Sequence, residues 1–223
     1  MRINKFVALA SGLSRRKADE LIARGTITVN DQPAKPGEDI SDSDTVKLGS
    51  RILSLPETTT TIMLNKPVGY VVSRDGQGSK TIYELLPATY SDLKPVGRLD
   101  KDSSGLLLLT NDGSLAHNLT HPSKQKTKVY EITLDKPLQP LHHQMINDHG
   151  IQLEDGRSKL QLARQTEHND TVWVVTMHEG RNRQIRRTFQ ALGYRVIKLN
   201  RTQFGSYQLG ILQSGSFLDL DTV

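Results

Sequence analysis

"GRLDKDSSGLLLLTNDG", Gly97 to Gly113, places two carboxylates, Asp100 and Asp102, two residues apart in front of a run of leucines that ends in a turn. The leucines read as a strand buried on both faces, and "TNDG" reads as its stop. The polar half admits three readings. As a calcium loop, Asp100, Asp102, Ser104 and Gly105 fill the first, third, fifth and sixth positions of the twelve-residue pattern. The twelfth, however, is Asn111 where a bidentate glutamate is needed, and "LLLL" fills the stretch between. As a glycosidase pair, two aspartates at alternate positions of an extended chain point the same way and sit too close together to flank a sugar. The third reading is a polar turn before a core strand, and for Asp102 it is the better one.

Working outward, the chain of 223 residues, 35% hydrophobic and 24% charged, is long enough to bury a core and fits one large or two small domains. Its 29 Lys and Arg against 24 Asp and Glu give a net +5, which favours a polyanionic partner without requiring one. With no cysteine, disulfides, thiolate nucleophiles and Cys-based zinc sites are excluded, and a reducing cytosol is compatible with the chain though not required by it. "MRINKFVALASG" has the outline of a signal peptide, with Ala8 and Ala10 in the small-residue pattern. Ile3, Phe6, Val7 and Ala10 recur at helical spacing, though, and "SRRK" follows at once, so a folded amphipathic helix is the reading adopted. No apolar run has the length of a membrane span.

Gly12 closes that helix. Ser14 N-caps a second, "RRKADELIAR", with Ala18, Leu21 and Ile22 on one stripe and Gly25 as its stop. "TITVN", the turn "NDQP" and "TVKL" add two strands, so a small domain is expected over residues 1–48. Arg15, Arg16 and Lys17 lie in the first turn of the second helix, where cations oppose the helix dipole. An anionic partner is one motive for them, and a solvated basic face is the other. "GSRILSLPETTTT" has no clear period, which predicts a linker over 49–60.

A larger domain over 61–223 opens with "TIMLNKPVGYVVS", two strand-like runs around Lys66-Pro67-Val68-Gly69. After the leucine strand comes a short helix that Pro122 cannot prolong, then the strands "KVYEITL" and "TVWVVTMH". The helix "RNRQIRRTFQALG" follows, with Ile185, Phe189 and Leu192 inward, Arg183 and Arg187 on the opposite side, Arg186 at the boundary and Gly193 as the stop. Strands outnumber helices and lack regular crossovers, so the fold class is α+β on a mostly antiparallel sheet with flanking helices. His117 and His121 have i, i+4 spacing but no third ligand and no HExxH frame, and read as surface histidines.

Four segments in order resemble the ribosomal pseudouridine synthases of the RsuA/RluB type. "NKPVGY" is similar to the family's NKP-x-G, and the opening stretch to its GRLD-x-x-[ST]-x-GLLLLT-x-DG. Tyr130 in "KTKVYEI" is similar to its strand tyrosine, and "EGRNRQIRR" to its EG-x-x-x-Q-[IV]-[RK]-R. "RINKFVA…GLSRRKADELIARGTITVN" resembles the RNA-binding domain shared with ribosomal small-subunit protein four, here the S-four domain, with departures at Asn4 and Thr26.

The resemblance implies a bacterial, cytoplasmic, monomeric enzyme that isomerises a uridine of ribosomal RNA to pseudouridine. It breaks the N1 glycosidic bond and rejoins the sugar to C5. No cofactor, no metal and no membrane are implied. Asp100 is then the ionised carboxylate near the sugar, attacking it or removing a proton. Arg186 is its cationic partner, and Tyr130 lies against the target base. Flipping the uridine out of its stack costs a few kcal/mol. The basic residues expected to offset this on RNA are Lys66, Arg98, Arg183, Arg187 and Arg201, with Arg15, Arg16 and Lys17 of the S-four domain. "EGRNRQIRR" looks more like the RluB branch, which favours large-subunit over small-subunit RNA. The rival is a non-catalytic RNA-binding or ribosome-assembly protein on the same fold, which has no need of Asp100, Tyr130 and Arg186 together.

Overall fold

Residues 1–56, 58–167 and 169–220 are described by the computed structural model. The chain divides into two compact units, Met1–Thr59 and Thr60–Val223. In the first, α1 (Ile3–Ser11) ends at Gly12, whose φ of 74° turns the chain. The Ser14 hydroxyl then accepts from the Lys17 amide and caps α2 (Arg15–Ala23), as the sequence predicts. Ile3, Val7, Ala18 and Ile22 bury one face of this pair against a small sheet. That sheet comprises β1 (Ile27–Val29), β2 (Gln32–Pro33), β3 (Val46–Leu48) and β4 (Arg51–Ile52), in the order β2-β1-β3-β4. β4 and the buried Leu53 fall inside the stretch expected to be a linker, so the first unit reaches past residue 48. A two-residue edge strand is too short to show a period in sequence.

The second unit is built on one twisted sheet. Its strands are β5 (Thr61–Lys66), β6 (Lys94–Pro95), β7 (Ser104–Thr110), β8 (Lys128–Leu134) and, beyond a separate hairpin of β9 (Ile151–Leu153) with β10 (Gly156–Ser158), β11 (Gln161–Arg164), β12 (Val172–Met177), β13 (Val196–Phe204), β14 (Tyr207–Gln208) and β15 (Phe217–Asp219). The order is β11-β12-β8-β13-β7-β5-β15, with β14 on β13 and β6 on β7. Among the described residues, β13 with β7 is the one parallel pair of named strands. This matches the expected mostly antiparallel α+β design. The leucines of β7 pack alternately into cores on both faces of the sheet, which is why the run is unbroken by polar residues.

β13 is the strand least visible in sequence. Bulges between Val196 and Lys198 and between Arg201 and Gln203 break its alternation. "GYVVS", expected as a second strand after the Pro67 turn, makes a single bridge from Val71 to Thr81 instead. Gly69, at φ 96°, turns the chain aside, and its amide donates to Lys101 O. Three helices flank the sheet: α3 (Gly113–Thr120), capped by the Asp112 carboxylate, the short α4 (Pro140–Gln144), and α5 (Gln184–Ala191). α5 buries Gln184, Ile185, Thr188 and Phe189, with Leu192 half-buried beside them. Among the described residues, no helix is long and apolar enough to cross a membrane.

Candidate active site

Asp100 sits in the turn between the buried Leu99 and the start of β7. The turn is held by its own backbone. Three successive carbonyls each accept from a different element: Lys101 O from the Gly69 amide at 2.8 Å, Asp102 O from Arg186 Nη2 at 2.7 Å, and Ser103 O from Lys66 Nζ at 2.7 Å. A turn fixed at three points holds the carboxylate it carries in one place.

Lys66 was expected on RNA, but it is fully buried at the end of β5. Its ammonium spans Ser103 O and Pro67 O, the latter at 2.9 Å. Burial pushes its pKa down to about 8, while the charges of Asp100 and Asp102 pull the other way. It is a cation beneath the site, already held by two backbone carbonyls.

The arginines of α5 also differ from expectation. Arg183, read as facing a phosphate backbone, forks onto Asp102 through Nη1 at 3.0 Å and Nη2 at 2.8 Å, and reaches Asp100 at 3.3 Å. It caps α5 from a left-handed backbone, φ 45° and ψ 33°, which costs a non-glycine residue about 1 kcal/mol. Arg186, expected on Asp100, donates instead to Val196 O and Asp102 O, both at 2.7 Å, and its Nε lies 3.3 Å from the Asp102 carboxylate. Rising one turn along α5 brings its fork to the backbone of the turn rather than to the side chain at its tip. Asp102 is therefore more than a turn former. Its hydrogen bonds to Arg183, aided by the Arg186 charge, hold its carboxyl below the usual carboxylate range against the pull of burial. Arg187 is engaged too, by a bidentate pair with Asp155 at 3.0 and 2.7 Å.

Asp100 opens into a cleft of about 890 Å³ that also contains Tyr130, Arg98, Arg183 and Arg201. Tyr130 is buried on β8 with its ring among the cleft walls, and Arg98 is exposed at the rim. Arg201 is buried on β13, beside Gly105 of β7. A Cβ on Gly105 would lie 2.3 Å from Arg201 O, so only glycine permits this approach. Sequence reasoning passed over Lys126, Lys128, Arg157, Lys159 and Arg181, which line the same cleft. "KTKVY" carried a signal for two of them, because period-two alternation puts Lys126 and Lys128 on the Tyr130 face.

Elsewhere, Arg15 donates to the Asn4 side chain, Lys17 pairs with Glu20, and Arg16 is exposed. His117 and His121 are exposed with ring centres 4.7 Å apart, and no cluster of three or more metal-ligating side chains occurs among the described residues.

The model of the RNA pseudouridylate synthase family matches residues 60–191, and that of the S4 domain matches residues 1–46. The chain belongs to the RNA pseudouridylate synthase family, and carries an S4 domain at residues 1–46. It is 36% identical to ribosomal large subunit pseudouridine synthase B of Bacillus subtilis, over 98% of this chain and 91% of that one. It is also 36% identical to ribosomal small subunit pseudouridine synthase A of Vibrio cholerae, over 94% and 90%. Among solved structures, a pseudouridylate synthase crystal structure superposes with a TM-score of 0.72 at 32% identity, covering 99% of this chain and 96% of that one.

Proposed function

We propose that this pseudouridine synthase acts on ribosomal RNA, with Asp100 as the carboxylate that works at the sugar of the target uridine. The observation that carries the assignment is the triple bracing of the Asp100 turn by Gly69, Arg186 and Lys66 beside a basic cleft. In the overall reaction the C1′–N1 bond breaks, C1′ bonds to C5, the C5 proton leaves and N1 gains one, so the base itself is leaving group and acceptor. Asp100 supplies negative charge where the sugar becomes electron-poor, and Arg183 lies 3.3 Å from its carboxylate. Tyr130 offers a ring against which a flipped uracil can stack. Ribosomal RNA is favoured because the two relatives above are named for the large and the small ribosomal subunit. The "EGRNRQIRR" segment favours the large-subunit RNA, and such a substrate places the enzyme in the cytoplasm.

The test is release of tritium from large- and small-subunit ribosomal RNA transcripts labelled at uridine C5, in chelator. Release from the large-subunit transcript is expected. Release from the small-subunit transcript alone would correct the choice of RNA, and release from neither would overturn the proposal.

A further inference from the structure

We infer that Lys128 and Arg201 form an anion seat in the cleft, which receives a backbone phosphate of the RNA at or next to the flipped uridine. The inference takes from the proposed function only that RNA enters this cleft; it is independent of the chemical role of Asp100.

Arg201 is 2% exposed, yet it is poorly satisfied. Its Nε donates to Leu106 O at 2.8 Å, and its guanidinium lies 4.7 Å from the centre of the Phe204 ring, while Nη2 has no acceptor. An aromatic ring satisfies the face of a guanidinium and does nothing for the N–H groups in its plane. Buried donors in native proteins have partners, so the unpartnered Nη2 of a residue in the cleft wall marks where a ligand oxygen belongs.

Lys128 lies over the same ring, with Nζ 5.5 Å from its centre, and meets only the carbonyls of Lys126 and Glu179, at 3.5 and 3.3 Å. Burial and the neighbouring Arg201 charge lower its pKa, with Glu179 opposing. The Glu179 carboxylate is itself engaged by Gln184 and Arg181.

Two cations therefore share one aromatic ring, and among the described residues neither forms an ion pair with a carboxylate. A uracil carbonyl would fill a donor but leave both charges uncompensated, whereas a phosphate oxygen pair does both. Register fixes the location: Arg201 is the cross-strand partner of Tyr130, and Lys128 lies two residues before Tyr130 on the same strand face. The seat thus adjoins the ring on which the base is read to stack.

The experiment measures binding of the full chain to the ribosomal RNA transcript across a range of salt, for wild type, Lys128→Gln and Arg201→Lys, with circular dichroism of each to verify folding. Lys128→Gln should weaken binding about tenfold and flatten the slope of log affinity against log salt by about 0.7, one single-strand phosphate contact. Arg201→Lys keeps the charge but loses the planar fork, so it should weaken binding with little change of slope. A general attraction to the basic cleft predicts no loss for Arg201→Lys, and wild-type affinity in that variant would overturn the seat. If Arg201→Lys fails to fold, Lys128→Gln decides alone: an unchanged slope and affinity would overturn the inference. Because no turnover is read, these results stand apart from tritium release, whose absence in wild type would remove the isomerase proposal only.

Discussion

The two ends of the cleft handle positive charge differently. Around Asp100, each arginine of α5 has an acid: Arg183 takes Asp102 and Asp100, Arg186 takes Asp102, and Arg187 takes Asp155. Around Phe204, Lys128 and Arg201 line the same cavity, and among the described residues neither pairs with an acid. Compensated charges are rigid and already engaged, which suits a group that must hold a reacting geometry. Uncompensated charges are unsettled until an anion arrives, which suits a group that must bind. Under the proposed function, the contrast separates residues that shape chemistry from residues that grip substrate within one cleft.

The largest expected effect lies at the compensated end. Arg186→Met leaves Val196 O and Asp102 O without their donor and removes one cation from Asp102. Unfolding free energy should fall by about 3 to 5 kcal/mol, the loss of two hydrogen bonds from a charged donor, measured by urea denaturation, with isomerisation reduced about a hundredfold as the turn loosens. Arg187→Met, at a more exposed pair, should cost about 1 kcal/mol or less. Equal losses for the two would break the distinction between bracing and surface pairing.

Lys66 comes next. Its folded pKa of about 8 lies below the ordinary 10.5, so between these values the unfolded chain binds more protons and stability from this group rises with pH. The buried charge weighs fully against folding below pH 8 and the penalty is gone above 10.5. Relative to Lys66→Met, wild type should gain up to about 3 kcal/mol over that window. A stability difference flat in pH would show that Lys66 titrates normally.

Asp102→Asn should be milder, about 1 kcal/mol or less, because its carboxylate is half exposed. Its carboxyl is held below the ordinary 3.8, chiefly by Arg183, so the contribution is full above that value and fades as pH falls beneath it. Thermal melts of wild type and variant should converge in acid. The smallest effect is expected at Arg16→Gln on the exposed face of α2, where one phosphate contact changes the salt slope of RNA binding by about 0.7 to 0.9 and leaves catalysis at saturating RNA unaltered.

The sequence made the β7 strand and the two helices of the first unit legible, because each rests on a local pattern: an apolar run, a cap, a stop. Asp100 stood out through the family resemblance and not through the turn around it. What escaped it was distance. Nothing in "NKP" says that Lys66 reaches Ser103 O, thirty-seven residues on. Nor does "RNRQIRR" reveal that Arg186 takes the Asp102 backbone while Arg183 takes the carboxylates. Helical periodicity placed Arg183 and Arg187 outward correctly, but the surface they meet belongs to the Asp100 turn and the β9–β10 hairpin. β13 was obscured by its two bulges, and with it the pairing of Arg201 to Tyr130.

The central claim is that Asp100 does the chemistry while the basic cleft does the binding. It is tested most directly by Asp100→Asn, which keeps size and removes charge, assayed for C5 tritium release and for RNA affinity on the same folded preparation. Release should fall by at least about a thousandfold, with RNA affinity within about threefold of wild type because the gripping cations lie elsewhere. A folded Asp100→Asn protein that still isomerises at the wild-type rate would contradict it.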